Sequence, residues 1–403
     1  MAILPTVLAS FGVMLCLGGV YAWSLFVPGL IEEHGFTAAQ TQLVFGVLIA
    51  VFPATMVAVG QLPSHLPPRL LVSIAGLLFG LGYLLAAFSG GEFWIILVGI
   101  GFLAGVGTGF GYLTALTVPV RLLPARKGLL AGVAAGGFGL AAVVAAYVVE
   151  SLLTRGWGVL PIFAWFGTVY GLVILLLAFF VRTPVAVEHP GPLPRLGELF
   201  RHPDLQRAGV GIFAGTFAGL LIIGSLNPLG AARMVEGQVL VAGVSVFAVA
   251  NFCGRMGWGA LSDWWGARPC IIGALALQGL AIAGFAMPGL SAGLFLFLSF
   301  AVGFGFGGNF VLFARDIAQS FGVERLGKVY PWVLLGYALA GIAGPFTGGW
   351  IYDLTGSYTP AVWVAAVMSL VGASVYLIGF THTPTASPDT QREAISPMGA
   401  NKP

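Results

Sequence analysis

The sequence predicts an all-α membrane protein: twelve transmembrane helices in two six-helix pseudo-repeats. Three observations predict it. The chain is 58% hydrophobic and only 8% charged. It contains twelve apolar stretches of spanning length, and loop motifs that begin at Gly60 and Gly259 match each other 199 residues apart. Soluble domains carry about 25% charged residues, so a large soluble enzyme is excluded.

A spanning helix needs ~20 mostly apolar residues. The stretches run 5–28, 42–62, 69–88, 92–119, 129–152, 158–181, 208–230, 238–261, 270–288, 291–314, 331–352 and 360–380. The domains follow: a six-helix half over 1–181, a polar cytoplasmic linker over 182–207, a second half over 208–380, and a tail over 381–403. The tail, rich in Thr, Pro and Ser without periodicity, reads as disordered. The first stretch has no basic residues before it and is long enough to span, which argues against a cleavable signal peptide. Cys16, Cys253 and Cys270 show no metal-ligand spacing and read as small packing residues. No cofactor or metal is expected.

Orientation follows from the basic residues. With the N-terminus in the cytoplasm, the loops and tail on that side hold Arg69; Arg121, Arg126, Lys127; Arg182, Arg195, Arg201, Arg207; Arg268; Arg315, Arg325, Lys328; Arg392 and Lys402, fourteen of the 17. The other side holds Arg155 and Arg233. This asymmetry places both termini in the cytoplasm of a bacterial-type inner membrane. The net charge of +3 is spread over many loops, so no nucleic-acid surface is expected. All 14 acidic residues fall in loops, tail or helix ends, which leaves Arg255 as the one deep ionisable side chain.

The repeat is carried by "GQLPSHLPPR" at Gly60 and "GALSDWWGAR" at Gly259, and by Arg126 and Gly128 against Arg325 and Gly327 at the same offset. In the second copy, Gly259, Asp263, Gly266 and Arg268 match the loop signature of the major facilitator superfamily, which the chain resembles. The first copy has decayed, with Ser64 in place of the acid and Pro67 in place of the glycine. Gly259 permits close helix contact, and Asp263 and Arg268 are expected to pair as a latch that opens and closes with transport. The resemblance implies substrate binding near the midplane, between halves that rock against each other.

Small residues spaced by four mark packing faces: Gly101, Gly105 and Gly109 on helix 4, Gly128, Gly132 and Gly136 on helix 5, Gly336, Ala340, Gly344 and Gly348 on helix 11. Two nucleotide-like strings fail. Gly303 to Gly308 lies inside an apolar span with no preceding strand, and Val329 replaces the metal-binding hydroxyl in the stretch from Gly322.

A guanidinium at helix centre costs ~2.5–3.5 kcal/mol on insertion scales. Arg255 either snorkels toward the interface, ties down carbonyls of a neighbouring helix, or receives an anion. The last reading fits best, since guanidinium matches carboxylate as a two-pronged fork. Asn251, one turn earlier on the same face, adds a neutral hydrogen bond.

"LGGVYAWSLF" in helix 1, "GVGTGFGYLTALTVPVRLLPARKGLLAG" through helix 4 into helix 5, and Asn251-x-x-x-Arg255 in helix 8 resemble the oxalate:formate antiporter family and, more loosely, the monocarboxylate transporters. The resemblance implies that Arg255 clamps a carboxylate, Asn251 assists and Tyr112 offers its hydroxyl. Phe138, the lone bulky residue among small ones in the first half of helix 5, would wall the apolar part with Tyr21 and Phe310. Dicarboxylate-handling members carry a lysine in helix 11. Here Tyr337, or Gly336, stands in its place, so one cation argues for one anionic charge.

The expected function is therefore secondary transport of small monocarboxylates such as lactate, pyruvate, formate or glycolate, coupled to protons, by a monomer. No deep acid is available to carry the proton, and the five histidines lie in loops or tail. Anion exchange of the oxalate:formate type and facilitated diffusion stay open. So do efflux of apolar or aromatic compounds and a sensor that has lost transport.

Overall fold

A computed structural model describes residues 4–60, 62, 66–122, 127–182 and 200–381. Among them, 12 helices are long and apolar enough to cross a membrane. We number them α1 (Leu4–Leu25), α2 (Ala38–Gly60), α3 (Pro68–Ala87), α4 (Phe93–Pro119), α5 (Lys127–Leu153), α6 (Val159–Ala178), α7 (Pro203–Ala231), α8 (Gly237–Trp265), α9 (Ala267–Gly284), α10 (Ala292–Phe321), α11 (Val323–Thr355) and α12 (Thr359–Thr381). No strand occurs among the described residues. Expectations for Ser64, Arg126, linker residues 183–199 and the tail after 381 lie outside them.

Every stretch expected to span is one of these helices, but several helices run longer. The first turns of α7 fall inside the segment assigned to the linker, and only Gly322, at φ +86°, separates α10 from α11. Hydropathy drops where charged side chains begin, whereas a helix satisfies its own backbone and continues into the polar interface. One expectation is corrected as a result. Asp316 is no loop residue. It lies within α10 and is 1% exposed.

Packing uses small residues where backbones meet. A Cβ on Gly46 of α2 would fall 2.5 Å from the carbonyl oxygen of Gly341 on α11. Lipid offers no hydrophobic drive for helices to associate, so close van der Waals approach of this kind holds them together. The α4 stripe of Gly101, Gly105 and Gly109 rests on Val47, Val51 and Thr55 of α2. Gly336, Gly344 and Gly348 of α11 face α7.

Leu4 and Thr381 lie at one end of the bundle, the terminal end. At the opposite, far end the first six spans are fastened to the last six. Gln42 Nε2 donates to the Gly224 carbonyl at 2.8 Å, Asp353 accepts from the backbone of Ala38 and Ala39, and Gly349 packs on Ala38. These contacts hold α2 against α7 and α11 at that end.

Candidate functional site

Local backbone chemistry aims the site's side chains. After Leu17 the α1 helix tightens into a 3-10 helix from Gly18 to Leu25. Gly18 lets it approach α5: a Cβ there would stand 2.3 Å from the Phe138 carbonyl oxygen. This contact brings Tyr21 edge-on to Phe138, with ring centroids 5.6 Å apart. Pro331 and Pro345 interrupt the α11 hydrogen-bond ladder on either side of Tyr337.

The sequence-selected residues meet in one cluster. Tyr112 of α4 lies 5.0 Å from Phe138, centroid to centroid, and Phe310 of α10 lies 5.1 Å from Tyr337. The Tyr21 and Tyr337 hydroxyls are 3.2 Å apart and hydrogen-bonded across the two sets of six spans. The Arg255 guanidinium carbon stands 4.7 Å from the centroid of the Phe310 ring, a cation–π contact. Arg255 Nε donates to Asn251 Oδ1 at 3.3 Å.

Two rings that the sequence reading missed complete the cluster. Phe52 of α2 touches Tyr112, Phe138 and Tyr337, and Phe306 of α10 touches Tyr21 and Phe310. Phe306 carried a usable signal, a bulky side chain amid the glycines of Gly303 to Gly308. Tyr330 was also missed; its hydroxyl donates to the Phe310 carbonyl at 3.0 Å and steadies that turn of α10.

Arg255 lies ten residues from the Trp265 end of α8, about 15 Å of helix at ~1.5 Å per residue. It is half-buried, and the ring it faces belongs to the cluster between the two sets of spans, not to the lipid surface. Among the described residues it has no carboxylate partner and bonds no backbone carbonyl. Nε is taken by Asn251, so the two terminal nitrogens remain as a fork. Asn251 is fully buried, and its Nδ2 has no protein partner. The arrangement can hold a planar anion by two parallel hydrogen bonds over an aromatic floor. The described residues contain no group of acidic, histidine or cysteine side chains suited to a metal ion.

The expected Asp263–Arg268 latch is not formed. Gly266, at φ +83°, turns the chain so that the two side chains meet different neighbours. Asp263 pairs with Arg315 at an exposed helix end. Arg268 reaches Asp204 at 3.1 Å and the buried Asp316 at 3.4 Å, while Tyr376 donates to Asp316 at 2.9 Å. Asp204 also pairs with Arg207. Gly259 leaves an ordinary contact of 3.4 Å to Val311; the tightest approach between α8 and α10 is at Gly254 and Gly307, each 2.1 Å from a facing carbonyl oxygen by the same measure.

Twelve spans, with a second-copy loop motif after α8, are matched by the sequence model of the Major Facilitator Superfamily over residues 8–330 and 244–401. The chain belongs to this superfamily. It is a multi-pass membrane transporter and not an enzyme. Among its relatives, the uncharacterized MFS-type transporter YhjX of Escherichia coli strain K12 is 28% identical over 85% of each chain. The oxalate:formate antiporter of Oxalobacter formigenes is 25% identical over 91% of this chain and 88% of its own. Monocarboxylate transporter 13 of Bos taurus is 26% identical over 96% and 92%.

Proposed function

We propose that this protein carries small monocarboxylates across a bacterial-type inner membrane by alternating access, as a monomer with cytoplasmic termini, and that a proton travels with the acid. One observation carries the reading: Arg255 is a permanent cation in the middle of the bundle whose fork has no protein carboxylate to neutralise it. A charge at this depth in the bundle is costly until an anion arrives. Two relatives have names that refer to carboxylates, one oxalate and formate, the other monocarboxylates. Tyr337 stands where a second cation would be needed for a second carboxylate, which supports a singly charged substrate.

In this reading the two halves are 1–181 and 208–380, and closure at Gln42, Gly224 and Asp353 makes this the cytoplasm-facing state. The Gly259, Asp263, Gly266 and Arg268 motif, with Asp204 and Asp316, ties the terminal ends of the second half into one body that rocks as a unit. Exchange of one anion for another is a second reading, favoured because no acid or histidine touches Arg255 among the described residues.

Uptake of labelled lactate, pyruvate and formate into proteoliposomes tests both. Accumulation driven by an inward proton gradient marks symport, and stimulation only by internal acid marks exchange. Arg255→Ala and Arg255→Lys each lose most of either activity, because lysine supplies charge without the fork. Wild-type uptake by Arg255→Ala overturns the proposal.

A further inference from the structure

We infer that Gln278 and Asn309, which lie outside the site, are positioning residues for it: their amides hold α10 in the register that lays the Phe310 ring beneath the Arg255 guanidinium. The inference rests on the reading of Arg255 as an anion receptor given above. Gln278 is 0% and Asn309 1% exposed. Gln278, on α9, donates from Nε2 to the Gly215 carbonyl of α7 at 2.6 Å, and its Oε1 accepts from Asn309 Nδ2 of α10 at 3.5 Å. Three helices thus share one buried polar junction. Asn309 immediately precedes Phe310, whose ring centroid stands 4.7 Å from the guanidinium carbon.

The face of α10 that meets α7 is a row of knobs in glycine notches. A Cβ on Gly211 would fall 2.7 Å from the Phe313 ring, one on Gly215 2.8 Å from Asn309 Oδ1, and one on Gly219 2.2 Å from the Phe306 ring. Two of the three knobs are rings, and the middle one is an amide. Phe304, Phe306, Phe310 and Phe313 give α10 four rings of the same shape, and a glycine notch receives any of them. The close approaches to α8 at Gly254 and Gly307 meet backbone carbonyls, so they set a distance rather than a register.

The amide knob is selective where the rings are not. Any other register of α10 puts an apolar side chain at Gly215 and leaves the Gln278 acceptor and the Asn309 donor buried without each other. A single buried asparagine fixes the register of coiled coils for this reason. The register it fixes here sets Phe310 under the cation and Phe306 against Tyr21. A guanidinium held over a ring is already ordered when the anion arrives, and such preorganisation raises affinity without a new contact. The amides therefore act on the anion through Phe310 and touch neither the anion nor Arg255.

Binding of labelled lactate to the purified full-length protein, measured together with Tm, tests the inference. The paired variant Gln278→Met, Asn309→Leu removes both amides at nearly constant volume and strands neither. We expect its Tm to stay close to the wild type while its lactate Kd rises at least fivefold. In a Phe310→Leu background, itself severalfold weaker than the wild type, the same pair of substitutions should change Kd less than twofold, because the ring they act through is gone. A Kd within twofold of the wild type for the paired variant overturns the inference and leaves the Arg255 reading standing. An equal loss in both backgrounds also overturns it, since general loosening of the bundle would do that. If the wild type binds neither lactate, pyruvate nor formate, the carboxylate reading falls and this inference falls with it. Should the paired variant not fold, Asn309→Ala alone, compared in the same two backgrounds, decides by the same thresholds.

Discussion

The carboxylate of Asp353, in the last turn of α11, accepts the backbone N–H of Ala38 at 3.0 Å, and its second oxygen takes that of Ala39 at 2.8 Å. The acceptor belongs to the last six spans and the donors open α2, so one side chain caps a helix across the interface. N-terminal amides have no partner within their own helix, and the helix dipole favours an anion there. Among the described residues this is the one carboxylate that bonds across the two sets of spans.

Asp353→Ala therefore shifts the protein toward opening at the far end. Asp353 is exposed, so the pair of bonds contributes about 1 kcal/mol, roughly a fivefold change in population. A cysteine placed at the buried Gln42 position, in a background without native cysteines, reports the change through an impermeant maleimide. Its labelling rate should rise severalfold with Asp353→Ala and less with Asp353→Asn, which keeps one acceptor.

The two acids near the terminal end should behave oppositely. Asp316 is buried, bonded by Arg268 and Tyr376, whereas the Asp263–Arg315 pair is exposed. Removing one member of a buried network costs about 3–5 kcal/mol, and breaking an exposed pair about 1 kcal/mol or less. Thermal unfolding in detergent should show a large drop in Tm for Asp316→Ala and little change for Asp263→Ala. Equal shifts would contradict this account.

The bilayer made the spans legible, because twenty apolar residues in succession have few other uses. Asn251 and Arg255 were legible because four-residue spacing fixes a helical pair wherever the helix goes. Tyr21 and Tyr337 were each singled out by resemblance, and their meeting across 316 positions was announced by no local pattern. Phe52 left no mark, lying in a run of apolar residues where any ring looks like core. Asp316 was misplaced because hydropathy cannot tell the end of a span from the end of its helix. Asp263 and Arg268 read as a pair that locks one conformation and breaks in the other, and in this conformation they meet Arg315 and Asp204 instead.

If Arg255 is an anion receptor, a built-in anion should occupy it. Asn251 Oδ1 already touches Arg255 Nε, so Asn251→Asp places a carboxylate beside the guanidinium. An ion pair in this setting stabilises the unliganded protein and blocks the substrate. We expect Asn251→Asp to raise the apo Tm and to abolish the further stabilisation that a bound acid gives the wild type. Asn251→Ala lacks the competing charge and should keep part of that response. A thermal-shift series of lactate against both variants reads the difference. Full ligand stabilisation of Asn251→Asp would mean that the anion binds elsewhere.

The last prediction concerns how α1 is aimed. A Cβ at Gly18 would lie 2.3 Å from the backbone oxygen of Phe138 and 2.7 Å from the Ala141 side chain, and a backbone atom cannot rotate away. At Gly19, the next residue, the nearest atom is the Ala145 side chain at 3.4 Å, an ordinary contact. Gly18→Ala must push α1 off α5, which separates Tyr21 from Phe138 and strains the Tyr21–Tyr337 bond. Overpacking of this kind costs about 1–3 kcal/mol. Gly19→Ala should melt like the wild type and transport like it. Gly18→Ala should melt several degrees lower and lose more uptake than its stability loss explains, because the ring it displaces belongs to the cluster at the site. Indistinguishable uptake by the two variants, at matched amounts of folded protein, would separate the position of α1 from transport.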